Sequence, residues 1–215
     1  MPPELRRVTD IRSPRRGSRR RDIYLDGDFW RTTTAGVLRE LCIAQCDEVD
    51  PEDTDARARD AEAAEARTRA LRLVGYRERS RHELLDRLAD DGYPHDVATT
   101  VVDDLVCSGL VDDARYAEQL ARSLVEIKRL GRSRAARELA KRGVPDDLAA
   151  AALDAYAPPD EEEHRAREAA IRLTRPDDTV DRLAGRLVRR GFTSALALAA
   201  AREALPASDH GEDPA

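Results

Sequence analysis

The chain has 215 residues, of which 41% are hydrophobic and only 4% aromatic, and its formal net charge is −6. That length allows one extended domain or two small ones, and a core poor in aromatics has to come from Leu, Val and Ala, which suits close-packed helices better than a broad sheet. A charged fraction of 37% sets a large surface against a small core, which points to several small stacked units and away from a membrane-spanning protein.

Of the 37 basic residues, all but Lys128 and Lys141 are Arg. Arg suits bidentate pairing with carboxylates and phosphates. The three cysteines, Cys42, Cys46 and Cys107, are odd in number and lack framework spacing, so reduced thiols in a soluble, cytoplasmic protein are expected. No charged-then-apolar leader opens the chain.

Residues 1–50 read as a small basic element containing β structure. Arg12, Arg15, Arg16, Arg19, Arg20 and Arg21 fall within ten residues that contain no acid. Ile23-Tyr24-Leu25 favours a strand, Asp26-Gly27 is a hairpin turn signal, and Phe29-Trp30 favours the return strand. Leu5 to Ile11 offers a partner strand, with the Arg-rich loop between them. Thr34 to Leu41 reads as a short helix. Cys42 and Cys46 sit four apart, close enough for one helical turn, but no second Cys or His pair follows, so incidental cysteines are expected in place of a metal site.

The sign of the charge then changes. Residues 51–64 read as an acidic linker whose later, Ala-rich part can be helical. A solvated connector is the simpler reading; the other is an acidic flap that competes for the chain's own basic surfaces. From Ala61 to Leu205 the pattern is helical throughout. Ser80-Arg81-His82-Glu83 is a capping box, followed by Leu84, Leu85 and Leu88 at helical spacing. Gly92 and Pro94 end that helix and open the next, which carries Val97, Val101, Val102 and Leu105. The order recurs with Ala117, Leu120, Ala121 and Leu124, then a helix expected to start at Ser133 and carry Leu139, then Gly143-Val144-Pro145 and Leu148, Ala152 and Leu153. A third copy holds Ala170 and Leu173, Leu183 and Leu187, and Leu196 and Ala200, opened by Asp178-Thr179 in place of Ser-Arg.

Leu88, Gly92 and Pro94 lie 51 residues before Leu139, Gly143 and Pro145, and Leu187, Gly191 and Thr193 lie 48 residues after those positions. Three registrations at one short motif predict internal repetition. The expected architecture is mainly α: three tandem three-helix repeats over 65–110, 111–158 and 159–205, elongated, behind a small N-terminal β-hairpin element, with a flexible tail over 206–215.

The repeated Arg-Ser-Arg-x-Glu-Leu-x-x-x-Leu pattern with its following Gly and Pro resembles the RecX family of recombination regulators. So does Gly109-Leu110-Val111-Asp112-Asp113-Ala114-Arg115-Tyr116-Ala117, with Leu130-Gly131-Arg132 and Arg190-Gly191-Phe192 in matching order. The resemblance covers roughly Glu65 to Leu205 and extends faintly to the Ile23 to Gly27 hairpin. It implies a nonenzymatic modulator of the RecA recombinase, acting in DNA repair and homologous recombination under the SOS response. Such a protein lies in the groove of the RecA–DNA filament and suppresses ATP hydrolysis and strand exchange.

The residues themselves offer a candidate contact surface. Arg134, Arg137 and Lys141 share a helical face by their three- and four-residue spacing. With Arg122, Lys128, Arg129, Arg132 and Arg142 they form a middle cluster of eight bases between Ala121 and Gly143, and Arg79, Arg81, Arg186, Arg189 and Arg190 hold comparable places in the other repeats. Two readings stay open: an ordinary solvated Arg face paired with local acids, and a stripe for an acidic protein groove or a phosphate backbone. Tyr76, Tyr93, Tyr116 and Tyr156 are expected to pack between helices. A helix-turn-helix reader is rejected, because the helix that would enter the major groove begins Pro145-Asp146-Asp147, and acids there would face phosphates. Paired carboxylates at helix starts are explained by capping, and no catalytic residue, cofactor or metal is assigned. A monomer is expected. Nonspecific nucleic-acid binding without RecA and a scaffold unrelated to recombination remain the competing functions.

Overall fold

The computed structural model describes residues 4–205, and the expected tail over 206–215 lies outside them. The chain divides into two compact units, one ending at Asp112 and the other starting at Asp113. The fold is mainly helical with a small N-terminal sheet, as expected.

The first unit opens with four strands, β1 (Arg6–Arg12), β2 (Arg20–Leu25), β3 (Asp28–Thr34) and β4 (Glu48–Val49), in the antiparallel order β3-β2-β1-β4. Asp26 and Gly27 turn β2 into β3 with φ of 51° and 96°, the two positive values a tight hairpin needs. Val8, Ile23, Leu25 and Val49 bury one face of the sheet with Leu38 of α1 (Ala35–Glu40). Thr34 caps α1 by accepting from the amide of Val37 at 3.2 Å. Cys42 and Cys46 follow in turns with φ of 55° and 77°, not on a helical turn, and both are exposed.

The segment expected as an acidic linker over 51–64 is instead the first half of a 26-residue helix, α2 (Pro51–Tyr76). Asp50 caps it, accepting from the amide of Glu52 at 3.0 Å, and Pro51 with Glu52 and Asp53 suits a first turn at the positive end of the helix dipole. Its buried face runs Thr54, Ala58, Ala61, Glu62, Ala66, Ala70 and Leu73. Those side chains are mostly small or polar, so apolar periodicity does not reveal the face.

Glu62 is fully buried. The Arg31 guanidinium on β3 grips both its oxygens at 2.7 and 2.8 Å, and the Thr33 hydroxyl donates to it at 2.5 Å. Arg31 also donates to Asp55 at 2.6 Å. One turn on, Glu65 accepts from Arg19 at 2.7 Å and from the Thr34 hydroxyl. Asp55, Glu62 and, just beyond the segment, Glu65 therefore dock the basic sheet onto α2 as part of the fold, which is neither the solvated connector nor the competing flap. Such a buried network is stable only with its hydrogen bonds complete.

The first unit closes with α3 (Arg81–Asp91) and α4 (His95–Cys107), whose Leu84, Leu88, Val101, Val102 and Leu105 pack on Ala66, Ala70 and Leu73 of α2. The second unit holds two more three-helix modules. One is α5 (Asp113–Arg122) with a π-turn over Ser123–Ile127, α6 (Arg132–Lys141) and α7 (Asp146–Tyr156). The other is α8 (Glu162–Leu173), α9 (Val180–Arg189) and α10 (Ser194–Ala204). Each has its own core, around Leu124, Leu139 and Leu153 in one and Leu183, Leu187 and Phe192 in the other.

The repeated motif has one structure in all three modules. The amides of Tyr93, Val144 and Phe192 donate to the carbonyls of Leu88, Leu139 and Leu187 at 3.1, 3.3 and 3.3 Å. Between them Gly92, Gly143 and Gly191 take φ of 103°, 67° and 99°. This left-handed stop needs glycine, and the apolar residue after it folds back onto the core.

Candidate functional site

The structure sorts the predicted basic residues by what their side chains touch. Several are tied into the fold. Arg79 donates to the Leu73 carbonyl at 3.3 Å, and burial, with Arg77 close by, holds its pKa below the usual guanidinium value. Arg81 bonds Asp103 at 2.8 and 3.0 Å. Arg132 reaches the carbonyl of Ala157 at 2.9 Å and Asp154 at 2.6 Å, while its amide donates to Glu162 at 3.0 Å, so it joins α6 to the end of α7 and the start of α8. Arg142 donates to the Tyr116 hydroxyl at 3.0 Å. Arg186 binds Asp178 and the Leu173 carbonyl. Arg190 donates to the Lys128 carbonyl, and Arg129, at φ 54°, pairs with Glu168 at 3.2 Å.

The remaining predicted residues are exposed. Arg137 makes one contact to its own helix, the Ser133 carbonyl at 3.3 Å, and neither Arg137, Lys141 nor Arg189 has a carboxylate partner among the described residues. Arg134 pairs with Glu138 one turn on at 3.0 Å, a solvent-exposed pair of small worth. Along α6 these side chains follow one face.

Within the second unit, the N-terminal end of α6 meets the third module. α6 starts at Arg132 behind Gly131, one residue before the expected start at Ser133. The Ser133 hydroxyl donates to the Gly191 carbonyl at 2.7 Å, and the Gly131 amide donates to Arg190 at 2.9 Å. The two bonds bring Arg134 beside the end of α9, which carries Arg189 and Arg190.

A cleft of about 500 Å³ opens at the same junction, lined by Ile127, Lys128, Arg129, Leu130, Arg172, Leu173 and Arg190, among others. Ile127 is 77% exposed, and Ile171 nearby in sequence to Arg172 is 70% exposed. Sequence reasoning counted Lys128 in the middle basic cluster without naming it as a contact, and passed over Arg172 and Ile127. In a regular helix Ile127 would follow Leu124 and Val125 toward the core; the π-turn shifts the register and leaves it outside. An apolar residue at an inward position, followed by Lys128-Arg129 and a glycine, was the available signal.

Of the tyrosines, Tyr93 and Tyr116 are buried as expected, whereas Tyr76 is 86% exposed and packs against no core. Burial pushes the Tyr93 hydroxyl up to about 12. Among the described residues no group of three or more His, Cys, Asp and Glu is placed to hold a metal ion, and no helix is long and apolar enough to cross a membrane.

Comparison with known proteins places these modules. Residues 66–105 match the model for the first three-helix domain of RecX, and residues 112–153 match that for the second. The chain is 40% identical over 139 residues to the regulatory protein RecX of Mycobacterium avium, covering 62% of this chain and 80% of that one. It is 38% identical over 149 residues to the regulatory protein RecX of Thermobifida fusca, covering 67% and 80%. A crystal structure of a regulatory protein RecX superimposes with a TM-score of 0.57 at 23% identity, over 89% of this chain and 97% of that one. RecX from Lactobacillus salivarius gives 0.56 at 21%, over 66% and 96%. At those identities the two structures speak for the fold.

Proposed function

The chain belongs to the RecX family, and on that premise we propose that it binds the RecA–DNA filament and inhibits or remodels it, lowering ATPase and strand exchange. The observation that carries the reading is the exposed face of α6. Arg137 and Lys141 stand on it without carboxylate partners, while most other predicted basic residues are tied into the fold. Cations left uncommitted on a rigid helix suit an acidic protein groove, where pairing adds rate and specificity.

The contact is made by Arg134, Arg137, Lys141 and Arg189, with Lys128 and Arg172 at the edge of the neighbouring cleft. Modules that contact successive RecA subunits oppose the subunit motions that ATP turnover requires. Their bulk in the groove obstructs entry of a second duplex. Neither effect calls for a catalytic residue, a metal or a cofactor, and the protein acts as a monomer. α7 is packing: Asp146 and Asp147 are exposed at its start, where phosphates would be repelled.

The deciding measurement is RecA ATPase on single-stranded DNA with and without this protein, paired with filament co-sedimentation. Inhibition near stoichiometry with co-sedimentation is expected. Neither effect at stoichiometric amounts, together with salt-sensitive binding to bare DNA, would favour a nucleic-acid-binding protein that acts without RecA.

A further inference from the structure

The Arg-rich loop between β1 and β2 is the feature the filament reading leaves unused. It forms one wall of a cleft of about 510 Å³ in the first unit. Arg15, Arg16, Arg19 and Arg20 come from the loop and its exit, Arg87, Asp90 and Asp91 from the C-terminal half of α3, and Arg69 from α2. We propose that this six-arginine cleft is a binding site for the phosphodiester backbone of nucleic acid, separate from the α6 face and independent of RecA.

The loop is built to hold its shape. The Arg21 guanidinium turns inward and donates to the carbonyls of Ser18 and Arg20, each at 2.7 Å, and to the Ser13 hydroxyl at 3.3 Å. The Ser13 hydroxyl in turn donates to the Arg15 carbonyl at 2.9 Å, and the Ser18 amide donates to the same oxygen at 3.1 Å. Gly92 lets the exit of the loop sit against the end of α3: a methyl group there would lie 3.0 Å from the Arg20 Cα and 3.2 Å from the Thr33 carbonyl oxygen. The cleft is therefore closed by backbone contact and not by a chain free to move away.

Its arginines fall into two tiers. Arg69 is held by Asp91 at 2.7 Å, Arg87 by the same carboxylate at 3.9 Å, Arg19 by Glu65 at 2.7 Å and Arg20 by Asp22 at 3.1 Å. Each such contact leaves other guanidinium N–H groups for a ligand. Arg15 and Arg16 are exposed and have no carboxylate partner among the described residues. Against six guanidiniums stand four carboxylates, Asp90 and Asp91 in the lining and Glu65 and Asp22 bound to Arg19 and Arg20, so the cleft is net cationic although the whole chain is acidic.

Two chemistries could meet that charge, phosphodiester and acidic peptide. The lining offers nothing apolar larger than Pro14 and Ala89. A docked peptide draws most of its binding energy from buried apolar or aromatic anchors, and this cleft has no pocket for one. A phosphate backbone needs only repeated charge and planar bidentate donors, which guanidiniums supply.

The test uses the full-length protein, no RecA, and a fluorescent duplex with Arg15→Ser/Arg16→Ser and Arg137→Glu/Lys141→Glu variants over a salt series. Loss of two phosphate contacts should flatten the slope of log K against log salt by about 1.8 in the loop variant. The α6 variant should retain the wild-type slope. The proposal is overturned if the loop variant binds the duplex as the wild type does, or if only the α6 variant loses binding. It is equally overturned if the loop variant loses binding to a fluorescent polyglutamate peptide while its DNA binding is intact. Because RecA is absent, failure here leaves the filament reading standing, and failure of the ATPase assay leaves this site standing.

Discussion

Gly131 and Gly191 meet backbone to backbone where the second and third modules join. A methyl group on Gly131 would lie 2.6 Å from the Gly191 carbonyl carbon, and one on Gly191 would lie 2.6 Å from the Arg134 amide nitrogen. Gly191 also carries φ of 99°, a left-handed conformation that costs any other residue about 1 kcal/mol or more. Gly191→Ala is thus expected to lose roughly 2–4 kcal/mol, from strain plus overpacking. Gly185, in mid-helix with only the end of the Arg189 side chain 3.6 Å away, should behave in the opposite way. Gly185→Ala should gain about 0.5–1 kcal/mol. Urea denaturation of both variants checks the pair; a Gly191→Ala protein as stable as the wild type would remove the close contact.

The caps give a second prediction. Ser80 is fully buried and accepts from the Glu83 amide at 3.1 Å, whereas the Ser133 hydroxyl joins two modules by its bond to the Gly191 carbonyl. Ser80→Ala should cost about 1 kcal/mol as a lost helix cap, and Ser133→Ala a similar amount as a lost inter-module hydrogen bond. The distinction lies in where the loss shows. Amide exchange should rise in the first turn of α3 for Ser80→Ala, and at Gly131 and around Gly191 for Ser133→Ala. The reverse assignment would mean that Ser133 caps α6 after all.

Those two serines mark how far the sequence could be read. Leu88, Gly92 and Pro94, with their counterparts, announced both the repetition and the stops between helices, because a left-handed glycine after an apolar run has few alternatives. Ser133 sits in the same Arg-Ser-Arg pattern that opens the family motif, yet its use depends on a backbone 58 residues away. The first part of α2 hid for a different reason: its buried face there is Thr54, Ala58, Ala61 and the carboxylate of Glu62, whose partners Arg31 and Thr33 come from a distant strand. At the candidate contact face, helical spacing placed Arg134, Arg137 and Lys141 together. Which arginines were already engaged could not be read from spacing, since the anchors of Arg132 and Arg186 are mainly main-chain carbonyls and acids beyond the next turn.

The buried Glu62 predicts a pH dependence. Burial raises its pKa above the ordinary value of 4.5, against the opposing pull of Thr33 and Arg31. A carboxyl raised in the folded state holds its proton more readily folded than unfolded. Its contribution to stability is fully present below the unfolded pKa and is lost as pH rises through the folded one. Relative to Glu62→Gln, the wild type should therefore gain stability as pH falls from 7 toward 4.5. Urea midpoints of the two proteins across that range give the comparison, with other titrations cancelling in the difference. A wild type that loses ground on acidification would mean that pairing with Arg31 outweighs desolvation. Glu62→Ala, which deprives both Arg31 and Thr33 of their partner, should cost about 3 kcal/mol at neutral pH.

The α6 face provides the test that separates contact from scaffold among the arginines. Arg137 and Lys141 are exposed and lack carboxylate partners among the described residues, so Arg137→Glu/Lys141→Glu should leave the urea midpoint within about 0.5 kcal/mol of wild type. If these cations meet an acidic groove on the filament, the reversal replaces two attractions by two repulsions. Inhibition of RecA ATPase should then need at least about ten times more protein, with most of the change in association and its salt dependence. Arg132→Ala should behave differently. It removes donors to the Ala157 carbonyl and Asp154, so it should cost about 1–3 kcal/mol in stability. Protein that remains folded should still inhibit, because Arg132 faces the fold. Equal loss of inhibition from both variants at matched folded concentration would place the contact at the module junction and not on the open face of α6. Full inhibition by Arg137→Glu/Lys141→Glu would remove that face from the filament contact altogether.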